Sequence, residues 1–272
     1  MKVSIFFRGL VNALSLVLKA KFVWMSVGVL LVVALTMLLS SYFGGRQPTT
    51  VALDVGLSTV RLLLPLLIVL LVQELLSREF DKRYYLCSLT YPHARSKLLL
   101  GRFVAMLLML LGLLLALVVL QVFLVGLISS FYPQTTPVAM GGAYVTVIAF
   151  MGLDFLVLFA LATLLAVVAS TPSFVLIGTF GFMLVARSYG AIVELLGRDA
   201  SLVGNAESYR AGLGVLSYLL PDLGALDVRM LALYGKPEFL PSDWPWLILS
   251  SLAYATALLA LALWALQRKR LA

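Results

Sequence analysis

The sequence predicts an all-α integral membrane protein, with six transmembrane helices in one transmembrane domain that covers residues 1–272. Of the 272 residues, 62% are hydrophobic and 12% are charged, and the mean hydropathy is +1.08. Soluble domains carry roughly 45–50% apolar and about 25% charged residues. In addition, six apolar runs each reach the roughly 20 residues that a helix needs to cross a bilayer. Lipid is therefore the solvent for most of this chain.

The six predicted spans are separated by turn signals. Gly44-Gly45-Arg46-Gln47-Pro48 follows the first span, Thr171-Pro172 joins the fourth to the fifth, and Pro65 predicts a kink inside the second. The spans are residues 22–43, 53–76, 98–128, 142–169, 173–196 and 244–266.

Residues 1–21 predict an amphipathic helix that lies in the membrane interface before the first span. Arg8, Asn12, Ser15 and Lys19 fall on one helical face, opposite an apolar face. The alternative is an ordinary cytoplasmic extension of the first span.

The distribution of Lys and Arg predicts that both termini are cytoplasmic. The N-terminal segment holds four, residues 77–102 hold six and the C-terminal tail holds three. On the other side, residues 44–52 hold one and residues 129–141 none, while residues 197–243 hold four against six acids. Basic residues concentrate in cytoplasmic loops, so the net charge of +8 does not indicate a nucleic-acid partner.

The single cysteine, Cys87, and the single histidine, His93, limit the chemistry of the chain. They exclude an intrachain disulfide framework and a multi-histidine metal site. No Gly-x-Ser-x-Gly or H-E-x-x-H motif is present. We therefore expect no catalytic site, no metal and no cofactor in this chain.

Residues 74–103 form the long charged interval between the second and third spans. Ser77–Leu89 can form a short helix along the membrane, Pro92 ends it, and Ser96 is suited to cap the helix of the third span. The alternative is a plain basic loop.

Within this interval, Glu79-Phe80 is followed by Leu89, Pro92, Arg95 and Leu98-Leu99-Leu100-Gly101-Arg102-Phe103. Later, Tyr218-Leu219-Leu220-Pro221-Asp222-Leu223 precedes Leu226-Asp227. In order and spacing these elements resemble the permease subunits of type-2 ABC exporters, and the resemblance covers nearly the whole chain.

The resemblance implies a coupling helix at about residues 77–90 that docks on a separate nucleotide-binding ATPase. Its docking residues would be Arg78, Glu79, Phe80, Asp81, Lys82, Arg83, Tyr84, Tyr85 and Leu86. It also implies a dimer with a second permease copy, ATP and Mg²⁺ bound by the partner ATPase, and a place in the cell inner membrane. A hydrophobic or amphipathic cargo is expected, or else transmission of force to an extracytoplasmic partner protein.

The sequence itself agrees that an ATPase must be a separate subunit. The motif G-x-x-x-x-G-K-[ST], which cradles phosphates, is absent; Gly235-Lys236 is followed by Pro237 and lacks the upstream glycine. The function class left as the alternative is an ATPase-independent secondary carrier or a membrane scaffold.

Five ionisable residues inside the predicted spans are candidates for a functional role: Asp54, Arg61, Asp154, Arg187 and Glu194. A charge at the centre of a transmembrane helix costs about 2.5–3.5 kcal/mol on insertion scales, so each is a candidate for function. They form either interhelical ion pairs or the polar lining of a substrate path.

The interval 197–243 is too polar to span a membrane and too apolar for a free loop. We expect short interfacial or re-entrant helices there, because irregular backbone at membrane depth must be covered by protein. Trp244 and Trp246 are suited to anchor the sixth span at the outer interface.

Overall fold

The structure, a computed structural model, describes residues 22–77, 95–131, 137–169, 171–198 and 221–268. The predicted interfacial helix at 1–21 and almost all of the predicted coupling helix at 77–90 lie outside these residues. The described part is helical and contains six helices that are long and apolar enough to cross a membrane, which confirms the predicted fold class.

The helices that span are α1 (Phe22–Phe43), α2 (Pro48–Val72), α3 (Arg95–Phe131), α4 (Gly142–Val168), α5 (Pro172–Arg198) and α7 (Trp244–Arg268). A short helix, α6 (Arg229–Tyr234), and a 3₁₀ turn, Pro237–Phe239, precede α7. A π-helical turn, Gln73–Ser77, continues α2.

The second span begins five residues earlier than predicted, at Pro48. The sequence predicts this proline in the turn, but proline is favoured in the first turn of a helix because its missing N–H has no intrahelical partner there. The same helix runs on through Pro65. The third span also exceeds its predicted bounds, since α3 covers Arg95–Phe131.

α4 is the most buried of the spanning helices, followed by α2. α1 packs against α2, and α7 packs against α4. α1, α5 and α7 are the most exposed, and their outward side chains are large and apolar, such as Leu35, Ile177 and Leu249. This arrangement puts α2 and α4 in the middle of the bundle, with apolar faces toward lipid.

Gly56 lets three helices approach closely. A Cβ atom at this position would lie 2.7 Å from Met37 Sδ of α1 and 3.2 Å from Gln121 Nε2 of α3. Gln121 Oε1 in turn accepts a hydrogen bond of 2.6 Å from the buried Tyr144 hydroxyl of α4. Small residues of this kind are typical of helix contacts within membranes.

Candidate functional site: a charge network across the bundle

Asp154 of α4 is the buried centre of a charge network, with a side chain 1% exposed. It lies twelve residues after the start of α4, or about 18 Å along the helix axis. Its Oδ2 is 2.6 Å from Arg187 Nη2 of α5 and 3.4 Å from Arg61 Nε of α2. Because a charge at this depth is unfavourable unless paired, the carboxylate holds both cations toward the interior.

Arg187 makes a second contact that Pro65 permits. Its Nη1 donates a hydrogen bond of 3.1 Å to the backbone oxygen of Arg61. In an α-helix that oxygen would accept from the N–H four residues later, which is position 65. Proline has no N–H, so the carbonyl is left open and the arginine of a neighbouring helix occupies it.

Arg61 connects this centre to the segment that precedes α6. Its Nη2 donates a hydrogen bond of 2.7 Å to the backbone oxygen of Leu223, and its Nη1 forms an ion pair with Asp227. Arg61 lies thirteen residues after Pro48, about 20 Å along α2. Leu223 and Asp227 therefore contact the side chain of a residue near the middle of a spanning helix.

Arg229, the first residue of α6, extends the network back to α2. Its Nε is 3.5 Å from Asp227 Oδ2, and its Nη1 is 3.2 Å from Asp54 Oδ1 and bonds the Ser58 hydroxyl. The charge network therefore comprises three arginines and three aspartates, which balance in charge: Asp54, Arg61, Asp154, Arg187, Asp227 and Arg229.

A tight turn at Asp222 fits against the backbone of α5. Asp222 Oδ1 accepts a hydrogen bond of 3.0 Å from the Ala225 N–H. A Cβ at Gly190 would lie 2.7 Å from Asp222 Oδ2, and one at Gly224 would lie 2.6 Å from the Arg187 carbonyl oxygen. Gly190 and Gly224 thus let residues 222–224 approach α5 beside the charge network.

Four of the five intramembrane candidates lie in the charge network. Arg61, Asp154 and Arg187 are joined directly, while Asp54 is joined through Arg229. Glu194 lies in α5, but its side chain is outside the described residues, as are the docking residues 78–86.

Asp227 and Arg229 were not predicted as partners of the spans. The signal that could have indicated them is an acid and an arginine two residues apart in an interval otherwise rich in leucine. Within the described residues no group of three or more His, Cys, Asp and Glu side chains is placed to hold a metal ion.

The family model for the ABC-2 family transporter protein matches residues 17–187. The chain belongs to this family. The match covers α1 to α4 and much of α5, including four members of the charge network (Asp54, Arg61, Asp154 and Arg187), and confirms the resemblance seen in the sequence. No curated protein matches the chain.

Membership identifies the protein as a membrane subunit of an ABC transporter. Subunits of this kind are permeases, typically without enzymatic activity of their own, and the family implies an ATP-binding partner subunit and a lipid bilayer. Asp227 and Arg229 lie beyond the matched residues, so the family match does not cover the part of the network that these two residues form.

Proposed function

We propose that this subunit exports a hydrophobic or amphipathic cargo, and that a separate ATPase drives it by docking on the segment 78–86. The observation that carries the proposal is the family match over residues 17–187. The segment 78–86 belongs to residues 78–94, which connect the π-helical turn after α2 to the start of α3. A force applied there would act on two spanning helices.

A contact at the same end of the bundle supports this route for force. Gln73 Nε2, in the π-helical turn, donates a hydrogen bond of 2.7 Å to the backbone oxygen of Pro172 at the start of α5. Since α5 carries Arg187, movement of the segment 78–86 would reach the charge network through α2 and through α5.

The proposed topology has both termini in the cytoplasm and the protein in the cell inner membrane, on the basis of the Lys and Arg counts. In this topology the interval 197–243, which we propose to be a re-entrant segment, enters the bundle from the extracytoplasmic side. The proposed assembly is a homodimer of permeases over two ATPase subunits, which is the arrangement that the resemblance implies.

Cargo export is favoured over transmission of force to an extracytoplasmic partner protein. In residues 221–235 the outer insertion is packed into its own bundle through Leu223, Asp227 and Leu233. Met230 and Tyr234 in the same residues are exposed, so contact with an outer partner protein is the second candidate function.

Co-purification with the ATP-binding subunit tests the proposal. Reversal of charge at Arg78, Asp81 and Lys82 together should abolish co-purification, because these side chains would face the ATPase. Lys236→Glu, an exposed residue on the opposite side of the bundle, is the matched control and should leave it unchanged. If both variants still co-purify with the ATP-binding subunit, docking at this segment is contradicted. If the native chain purifies with no ATPase, the carrier or scaffold alternative is favoured.

A further inference from the structure

The charge network has a buried half and an open half. Asp154 is 1% exposed and Arg61 is 13% exposed. By contrast, the side chain of Arg229 is 36% exposed and that of Asp54 is 45% exposed. The open half is the part formed between the outer third of α2 and the first residue of α6.

The open half lies at the depth of the hydrocarbon. α2 and its π-helical turn together run from Pro48 to Ser77, about 45 Å of helix, which matches a bilayer including its headgroups. Asp54 and Ser58, which both contact the Arg229 guanidinium, lie about 9 Å and 15 Å below Pro48. The headgroup layer accounts for only about 5–8 Å of that distance.

Charged side chains at that depth face the interior of a bundle or a water-filled cavity, not lipid. The lipid-facing surface of the same bundle carries aliphatic side chains at this depth instead of charged ones. On α1, Leu35 lies about 12 Å below the end of the helix at Phe43 and is 58% exposed, and Leu39 is 51% exposed. At one depth, therefore, one exposed face is ionic and another is aliphatic.

A second protein surface is a poor fit for the ionic face. The carboxylate and the guanidinium are already paired at 3.2 Å, so they need no opposite charge from a partner. Their remaining hydrogen-bonding groups need solvent, and the buried centres of protein interfaces are depleted in charged residues.

We infer that Asp54, Ser58 and Arg229 line a water-filled vestibule that opens on the extracytoplasmic side beneath the re-entrant segment. The vestibule presents a carboxylate and a guanidinium together, so it suits the polar end of an amphipathic cargo. The role in cargo exit rests on the proposed export function, whereas the presence of water does not.

Thiol accessibility tests the inference in the full-length protein in intact cells. The native Cys87 is replaced by serine, and a single cysteine is introduced as Ser58→Cys, which keeps the size of the side chain. Leu35→Cys is the control for lipid exposure at the same depth, and Leu57→Cys, 2% exposed, is the control for burial. The probe is a sulfonate-bearing methanethiosulfonate added outside the cells, followed by N-ethylmaleimide, which crosses membranes.

The sulfonate reagent should modify Ser58→Cys at least about tenfold faster than Leu35→Cys, because thiolate forms in water and the charged reagent is excluded from lipid. Modification of Ser58→Cys by N-ethylmaleimide alone, modification by neither reagent, or modification only from the cytoplasmic side would each overturn the vestibule. The result does not depend on an ATPase, so a failed co-purification would reject the proposed function and leave the vestibule standing.

Discussion

Replacement of Asp154 by asparagine tests whether the buried half of the charge network holds the bundle together. The substitution keeps the shape of the side chain and removes the charge that two arginines share. Arg61 retains Asp227 and the Leu223 carbonyl, whereas among the described residues Arg187 retains only the Arg61 backbone oxygen and an uncharged amide oxygen at position 154. The loss therefore falls mainly on Arg187.

The magnitude follows from the burial of the pair. Breaking a buried ion pair by removing one partner costs about 3–5 kcal/mol, and we take the lower end because asparagine can still accept a hydrogen bond. Each kcal/mol shifts the melting temperature of a chain near this size by about 2–4 °C. Asp154→Asn should lower it by about 6–12 °C.

Asp227→Asn is the matched control, since Asp227 also pairs with two arginines but is 26% exposed. Partly solvated pairs contribute about 1 kcal/mol or less, so this change should lower the melting temperature by no more than about 4 °C. The assay is thermal unfolding of the detergent-solubilised protein, in which size-exclusion chromatography measures the fraction that stays folded after heating. The double variant Asp154→Asn with Arg187→Gln should recover at least about half of the loss, because it removes the guanidinium that lost its charged partner. The reasoning would be refuted if Asp154→Asn and Asp227→Asn lowered the melting temperature equally, or if the double variant melted no higher than Asp154→Asn alone.

Two further changes test the contacts around the network. Pro65→Ala restores an N–H that competes for the carbonyl oxygen bonded to Arg187. Arg187→Gln should therefore lower the free energy of unfolding by about 1.5 kcal/mol less in the Pro65→Ala background than in the native chain. If unfolding measurements show that the two changes are additive within about 0.5 kcal/mol, the contact does not contribute. Gly190→Ala places a Cβ 2.7 Å from Asp222 Oδ2 and should destabilise the protein by about 1–3 kcal/mol. Gly181→Ala is the control in the same helix, with open space around the position, and should be neutral or stabilise the protein by up to about 1 kcal/mol. Equal melting temperatures for the Gly190→Ala and Gly181→Ala variants would show that the turn at Asp222 does not pack on α5.

The fold could be predicted from the sequence because its main determinant is the length of apolar runs. The first span ends where predicted, at Phe43, since Gly44 and Gly45 mark the turn that follows it. The start of α2 was misplaced because Pro48 belongs equally to a turn and to the first turn of a helix. The short helix α6 was expected only as a type of element, since six residues carry no periodicity that fixes their bounds.

The site could be predicted only by its members within spans. Asp154 and Arg187 stand out because a charge in an apolar run is costly. Asp227 and Arg229 do not stand out, because charged residues are ordinary in a polar interval. Pro65 leaves the Arg61 carbonyl without an N–H partner in α2, but the side chain that bonds this carbonyl depends on where another helix crosses.

Site-specific photo-crosslinking at Tyr84 tests the central claim, that a separate ATPase acts on the segment 78–86, most directly. A photoreactive amino acid at Tyr84 in the native membrane should capture an ATP-binding subunit, seen as one adduct that contains both chains. The same amino acid at Tyr234, which is 50% exposed on the opposite side of the bundle, should capture none. Capture of the ATP-binding subunit from Tyr234, or an adduct from Tyr84 that contains no ATP-binding protein, would contradict the account.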